Sequence, residues 1–174
     1  SNAQLILEQN INNNLENKKE MQAAAIMMNP TNGEIIALAG GKDYSKSQYN
    51  RAINAKRQVG STMKPLLYLA ALQEGLTPAT TFLSKPTTFT LDNNKSYSPK
   101  NYGDIYPNDY ITMALAISYS DNIYSVKTHK FLGENTLVDI SKKLGITSKL
   151  TANASLPLGT SEITMDEFTN AYAI

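Results

Sequence analysis

Apolar residues fall in short blocks separated by polar, turn-rich stretches, and their spacing predicts the elements. Residues 4–22 are polar and Asn-rich. Leu5, Ile6, Leu7, Ile11 and Leu15 punctuate them as one face of an amphipathic helix would. Two nearly continuous apolar runs follow, 23–28 and 34–39. They flank Asn29-Pro30-Thr31-Asn32-Gly33 and predict a β-hairpin. Because neither run alternates, the hairpin is predicted to be covered on both faces. An irregular polar stretch, 42–59, leads to Gly60. A helix is predicted to start near Ser61 and to be closed by Gly75. Pro65 lies in its first turn, where a missing N–H costs least. Apolar residues surround this helix on every side, which predicts burial in the domain centre.

Residues 77–109 are rich in Thr, Pro, Asn, Ser and Tyr and predict loops with short extended pieces such as 87–91. Helices are predicted over 111–119, 123–131 and from Asn135 or Thr136 to 144. Gly133 and Gly145 end the last two, and Ser120-Asp121-Asn122 breaks the first from the second. A final helix is predicted to run from about Ser161 to Ile174. Ser1-Asn2-Ala3 resembles an expression-tag remnant and is set apart from fold reasoning, leaving 4–174 as one partial domain.

Composition changes this picture in three ways. The net charge of +1 gives no electrostatic case for nucleic acid or an anionic surface. No apolar run is long enough to cross a bilayer, so the chain itself is expected to be soluble, with any export or anchoring element outside it. Cysteine is absent, which removes disulfides, thiolate metal sites and cysteine nucleophiles. His129 is the only histidine. It sits in Lys127-Thr128-His129-Lys130 and is predicted to be a solvated surface residue. With one histidine and no cysteine, neither a metal site nor a cofactor is expected.

The candidate chemistry lies in Ser61-Thr62-Met63-Lys64. A serine and a lysine three apart at a helix start lie on one face. A serine hydroxyl needs a base, and an amine serves if it is neutral. Burial in an apolar helix pushes a lysine that way. The Ser61 N–H, free at a helix start, is a candidate donor to an oxyanion. Ser120 and Asn122, on a loop between helices, offer a proton relay and an amide for substrate or for Lys64. S-x-x-K and S-x-N each occur once. Taken singly they also read as a snorkelling lysine and two helix caps.

S-x-x-K with S-D-N and K-T-G is the signature of penicillin-binding proteins and class A β-lactamases. The first two are present, and no Lys-Thr-Gly occurs. Residues 21–41 resemble the first strand pair of penicillin-binding protein transpeptidase domains. Asn50-Arg51-Ala52 and Arg57-Gln58-Val59-Gly60-Ser61-Thr62-Met63-Lys64-Pro65 are similar to the nucleophile region of the class A, bifunctional type, with Val59 where that family usually has Pro. Ser98-Pro99-Lys100-Asn101-Tyr102, Ala114-Leu115-Ala116 and Leu158-Gly159-Thr160-Ser161 continue the resemblance in order.

That resemblance implies an α+β fold of the penicillin-binding/serine β-lactamase-like type. It is expected to be truncated to an N-terminal helix, a hairpin and a helical subdomain, with most of the central antiparallel sheet absent. It implies D,D-transpeptidation of peptidoglycan stem peptides ending in D-Ala-D-Ala, through an acyl-enzyme on Ser61. Lys64 is the implied base, Ser120 and Asn122 the second motif, and β-lactam antibiotics the inhibitors. The parent is expected at the extracytoplasmic face of the bacterial membrane, anchored and carrying a glycosyltransferase domain. The 174-residue piece, lacking the K-T-G strand and its oxyanion donor, is expected to be inactive or nearly so. The alternatives are a D,D-carboxypeptidase, a β-lactamase-like hydrolase, or a non-catalytic module that holds peptide or antibiotic. No Glu-x-x-Leu-Asn segment follows Ser120 to support the hydrolase. Open edges at 23–28 and 34–39 are expected to pair with another chain and give a dimer.

Overall fold

A computed structural model describes residues 1–18, 20–91 and 95–173. The expected end of the last helix at Ile174 lies outside them. The chain divides into two compact units. One comprises Ser1–Arg57, Lys142–Lys149 and Glu162–Ile174, the other Gln58–Ser141 and Leu150–Ser161.

In the first unit a helix spans Asn2–Leu15, shorter than the predicted 4–22 and beginning inside the three residues set apart. Ser1 caps it, accepting from Gln4 N at 3.3 Å. Asn10 and Asn14 donate their amides to backbone carbonyls one turn back, at 2.9 Å each. Such bonds compete with the helix ladder, and only Leu15 of this helix is buried. The hairpin pairs Ala25–Met28 with Ile35–Ala39 in antiparallel register, Ala25 opposite Ala39.

Two expectations about this hairpin are corrected. It is not covered on both faces: Met27, Ile35 and Ile36 are 46%, 49% and 42% exposed. Nor is the edge at 34–39 wholly open. The Gln4 side chain accepts from Leu38 N and donates to Leu38 O, both at 2.9 Å. It thereby serves Leu38 as a neighbouring strand would, and Ser1 Oγ donates to Ile36 O at 3.3 Å. A side-chain amide carries the same donor and acceptor pair as a peptide, so the helix blunts the edge. The final helix, Met165–Ala173, packs against Ala25–Met28.

The second unit is mostly helical. The predicted helix at Ser61 is two pieces: a 3₁₀ turn, Gly60–Met63, and an α-helix, Lys64–Gln73. Lys64, Leu66, Leu67, Tyr68, Ala70 and Ala71 are buried. The expectation of burial on every side is corrected, because Leu69 and Leu72 are 39% and 46% exposed. Antiparallel strands Thr81–Ser84 and Asp109–Thr112 pair Ser84 with Asp109. Thr81–Ser84 is one of the short extended pieces expected in 77–109, whereas Asp109–Thr112 takes the start of the helix expected over 111–119. Phe89–Thr90, inside the expected extended piece 87–91, pairs with Ser96–Tyr97.

Thr112 caps the helix Met113–Tyr119, accepting from Leu115 N at 3.2 Å. Ser120 ends it with φ 53° and ψ 45°. Asp121 then caps the helix Asn122–Leu132, which is followed by Glu134–Lys143. Lys64–Gln73, Asn122–Leu132, Thr81–Ser84 and the 3₁₀ turn Leu156–Leu158 pack together. Tyr124 lies at their centre, with Phe82 edge-on at 5.2 Å. Its hydroxyl donates to Thr80 O at 2.7 Å.

The expectation for His129 is corrected most sharply. It is fully buried, and one ring nitrogen, Nε2, bonds Asn153 O at 3.0 Å. Ser125 and Thr128 beside it are also buried, each returning its hydroxyl to a helix carbonyl at 2.7 and 2.9 Å. A polar stretch can therefore occupy the inner face of a helix.

Candidate active site

The turn before Ser61 depends on two glycines. Gly60 has φ +60° and Gly159 has φ +70°, both in the left-handed region that Gly tolerates best. Gly60 N donates to Gly159 O at 3.1 Å. A Cβ on Gly159 would collide with the Gly60 backbone. This close approach fixes the chain path into the 3₁₀ turn that carries Ser61. Thr62 tightens the turn by donating its hydroxyl to Val59 O at 2.6 Å.

Four predicted residues come together here. Ser61, Lys64 and Ser120 line one groove of about 350 Å³, with Pro65, Tyr68, Leu69, Leu72 and Ile117 as its apolar wall. Ser61 is exposed, and Lys64 is 3% exposed. The Lys64 amine donates to Ser120 O at 2.6 Å, Ser120 Oγ at 2.9 Å and Asn122 Oδ1 at 2.6 Å. The left-handed conformation of Ser120 turns both its carbonyl and its hydroxyl toward the amine.

Burial lowers the Lys64 pKa to about 8, and the Asp121 carboxylate pulls it partly back up. Two of the three partners, a carbonyl and an amide oxygen, can only accept. The Ser120 hydroxyl can accept or donate. When Lys64 loses a proton, its two remaining N–H groups satisfy those acceptors. The lone pair is left for a hydroxyl, either Ser120 or the neighbouring Ser61.

Three residues that no sequence motif assigns a role support the loop. Asp121 is 3% exposed. It accepts from Tyr124 N at 2.7 Å, Ser84 Oγ at 2.6 Å and Asn101 Nδ2 at 2.8 Å. Asn101 in turn accepts from Asn122 N at 2.8 Å. Asp121 carried a signal, because a carboxylate two residues before an apolar run is an N-cap pattern. Asn101 and Ser84 carried none, since both reach the loop across tertiary distance.

The family model for the penicillin binding protein transpeptidase domain matches residues 23–158, and the chain belongs to that family. It is 45% identical over 172 residues to penicillin-binding protein 2D of Bacillus subtilis, a match covering 98% of this chain and 25% of that protein. It is 35% identical over 158 residues to penicillin-binding protein 1A of Aquifex aeolicus, covering 89% and 21%. The crystal structure of penicillin-binding protein 1A from Haemophilus influenzae is similar, with a TM-score of 0.83 at 31% identity. It covers 87% of this chain and 23% of that one. The penicillin-binding protein PonA1 of Mycobacterium tuberculosis shares the fold, with a TM-score of 0.80 at 22% identity over 98% and 46%. The chain spans 25% and 21% of the two relatives compared by sequence. Its α+β fold is that of part of a transpeptidase domain. No helix among the described residues is long and apolar enough to cross a membrane.

Proposed function

We propose that this chain supplies the nucleophile and the general base of a serine D,D-transpeptidase that cross-links peptidoglycan stem peptides. The observation that carries the reading is the Lys64 amine. It is buried, held by Ser120 and Asn122, and opens on the groove where Ser61 is exposed. A structural lysine in a helix start has no need of a carbonyl, a hydroxyl and an amide oxygen converging on its amine. Membership of the transpeptidase family supports the same assignment.

The reaction runs in two halves. Neutral Lys64 takes the Ser61 proton as Oγ attacks the carbonyl of the penultimate D-Ala. The Ser61 N–H, at the start of the 3₁₀ turn, donates to the oxyanion. Collapse of the tetrahedral intermediate breaks the D-Ala-D-Ala bond. The proton held on Lys64 passes through Ser120 Oγ to the leaving amine, and D-Ala departs. An amine from a neighbouring stem peptide then attacks the ester. Lys64 accepts its proton and returns one to Ser61 as the cross-link forms. A second oxyanion donor is assigned to the K-T-G strand that the family resemblance implies, a sequence this chain does not contain. A β-lactam would acylate Ser61 by the first half-reaction. On this reading the whole protein is a class A cell-wall synthase at the outer face of the bacterial membrane.

The test is D-Ala release from a pentapeptide ending in D-Ala-D-Ala, with an acceptor amine present, by the full-length protein. The wild type should release D-Ala and form cross-linked dimer. Ser61→Ala and Lys64→Ala should lose both. Equal release by Ser61→Ala would end the proposal.

A further inference from the structure

We propose that Asn101 is a positioning residue for this site: it clamps the Lys100 carbonyl against the Asn122 amide and so turns the Asn122 oxygen toward the Lys64 amine. The inference rests on the reading that Lys64 activates Ser61.

An asparagine side chain fits its space in two orientations that differ by exchange of O and NH₂. Here both ends are engaged. Asn122 Nδ2 donates to Lys100 O at 2.6 Å, and Asn122 Oδ1 accepts from Lys64 Nζ at 2.6 Å. The reverse orientation would set oxygen against the Lys100 carbonyl and NH₂ against the ammonium, losing both bonds. The Lys100 carbonyl therefore decides which end of Asn122 the amine meets.

That carbonyl is held by its neighbour. Asn101 is 9% exposed and uses its full hydrogen-bonding capacity. Its Oδ1 accepts from Asn122 N at 2.8 Å and Ile123 N at 3.4 Å. Its Nδ2 donates to Asp121 Oδ2 at 2.8 Å and Ile105 O at 3.2 Å. These bonds join the 100–105 turn to the first turn of the helix that begins at Asn122. Residues 100 and 122 thus stay in register although twenty-one residues of loop, strand and helix separate them. Asn101 touches neither Ser61 nor Lys64, so its influence passes through Asn122 and through the Asp121 carboxylate to which it also donates.

Asn122 gives the Lys64 ammonium one of its three acceptors, so loss of the clamp should weaken the charged form. Among the described residues, Asp121 is the charged group that acts on the Lys64 amine. The polar groups bonded to it are the Ser120 carbonyl and hydroxyl and the Asn122 amide oxygen, and Ser61 and Tyr68 line the same groove, the Tyr68 hydroxyl bonded to Ser125 Oγ at 2.9 Å. A neutral substitution at 101 leaves the Asp121 carboxylate in place, less one of its three donors.

The experiment measures the second-order rate of acylation by a fluorescent penicillin in the full-length protein, across pH 6 to 10, alongside the Tm. Asn101→Ala should acylate about ten- to a hundredfold more slowly, as expected for a misplaced catalytic group. Its pH midpoint should fall below that of the wild type. If Asn101→Ala does not fold, Asn101→Ser carries the same measurement, since its hydroxyl keeps one partner for the loop. A rate within twofold of wild type with the same midpoint overturns the inference. A slower rate with an unchanged midpoint and a lowered Tm also overturns it, because general loosening then explains the loss. A wild type that is never acylated refutes the transpeptidase reading itself, a result distinct from either.

Discussion

A lysine amine proposed as a base must spend part of its time neutral, and the surroundings of Lys64 favour that. Its pKa of about 8 is set first by burial and then by the opposing Asp121 carboxylate. At pH 7 about a tenth of it is neutral. If the neutral amine is the reactive form, acylation of Ser61 should rise nearly tenfold from pH 6 to 7 and level off above pH 8. A stopped-flow pH profile checks this, and a flat profile between pH 6 and 9 would contradict it. His129 makes a second prediction at this scale. Burial holds its pKa below the ordinary histidine value, against the Asn153 carbonyl bond that raises it. The folded state therefore disfavours the imidazolium, and the unfolded chain binds more protons as pH falls through 6.5. Stability should drop from pH 6.5 downward until the folded pKa is passed. Urea midpoints at pH 7.5 and 5.5 should differ more for the wild type than for His129→Gln, and equal differences would refute the assignment.

At the scale of elements, the backbone into Ser61 depends on Gly159 as much as on its own turn. Gly159→Ala both strains a left-handed position and drives a Cβ into the Gly60 backbone. It should cost about 2 kcal/mol or more, by analogy with other strained and overpacked positions, and slow acylation at Ser61. A Tm and a rate both unchanged from wild type would show that the two 3₁₀ turns do not need this approach. Much at this scale was legible in the sequence. Thr112, Gly133 and Gly145 punctuate helices much as composition predicted, and the Pro/Asn-Gly turn closes a hairpin. Other features were not. The strands Thr81–Ser84 and Asp109–Thr112 are four residues each and lie in Pro- and Asn-rich surroundings, and only their pairing with each other makes them strands. Gln4 covering Leu38 is a contact across more than thirty residues that no local pattern announces. His129 was misread because flanking lysines suggest solvent, whereas helix periodicity can turn one residue of a charged run inward.

For the molecule as a whole, the motifs marked Ser61, Lys64, Ser120 and Asn122 in advance because each is both chemically apt and rare in this chain. The support beneath them was invisible, since Asn101, Asp121 and Ser84 are ordinary polar residues until the fold gathers them. The helices packed around Tyr124 underlie those side chains, and the groove beside Ser61 is apolar on its other wall. The chain covers 25% of a relative such as penicillin-binding protein 2D of Bacillus subtilis, so catalysis is a property to be measured in the full-length protein. The most direct test is to expose that protein to a penicillin, digest it and locate the adduct by mass spectrometry. The account predicts one stoichiometric adduct, on the peptide containing Ser61, that is absent from Ser61→Ala. An adduct on any other residue, or none from folded protein at pH 8, would contradict it.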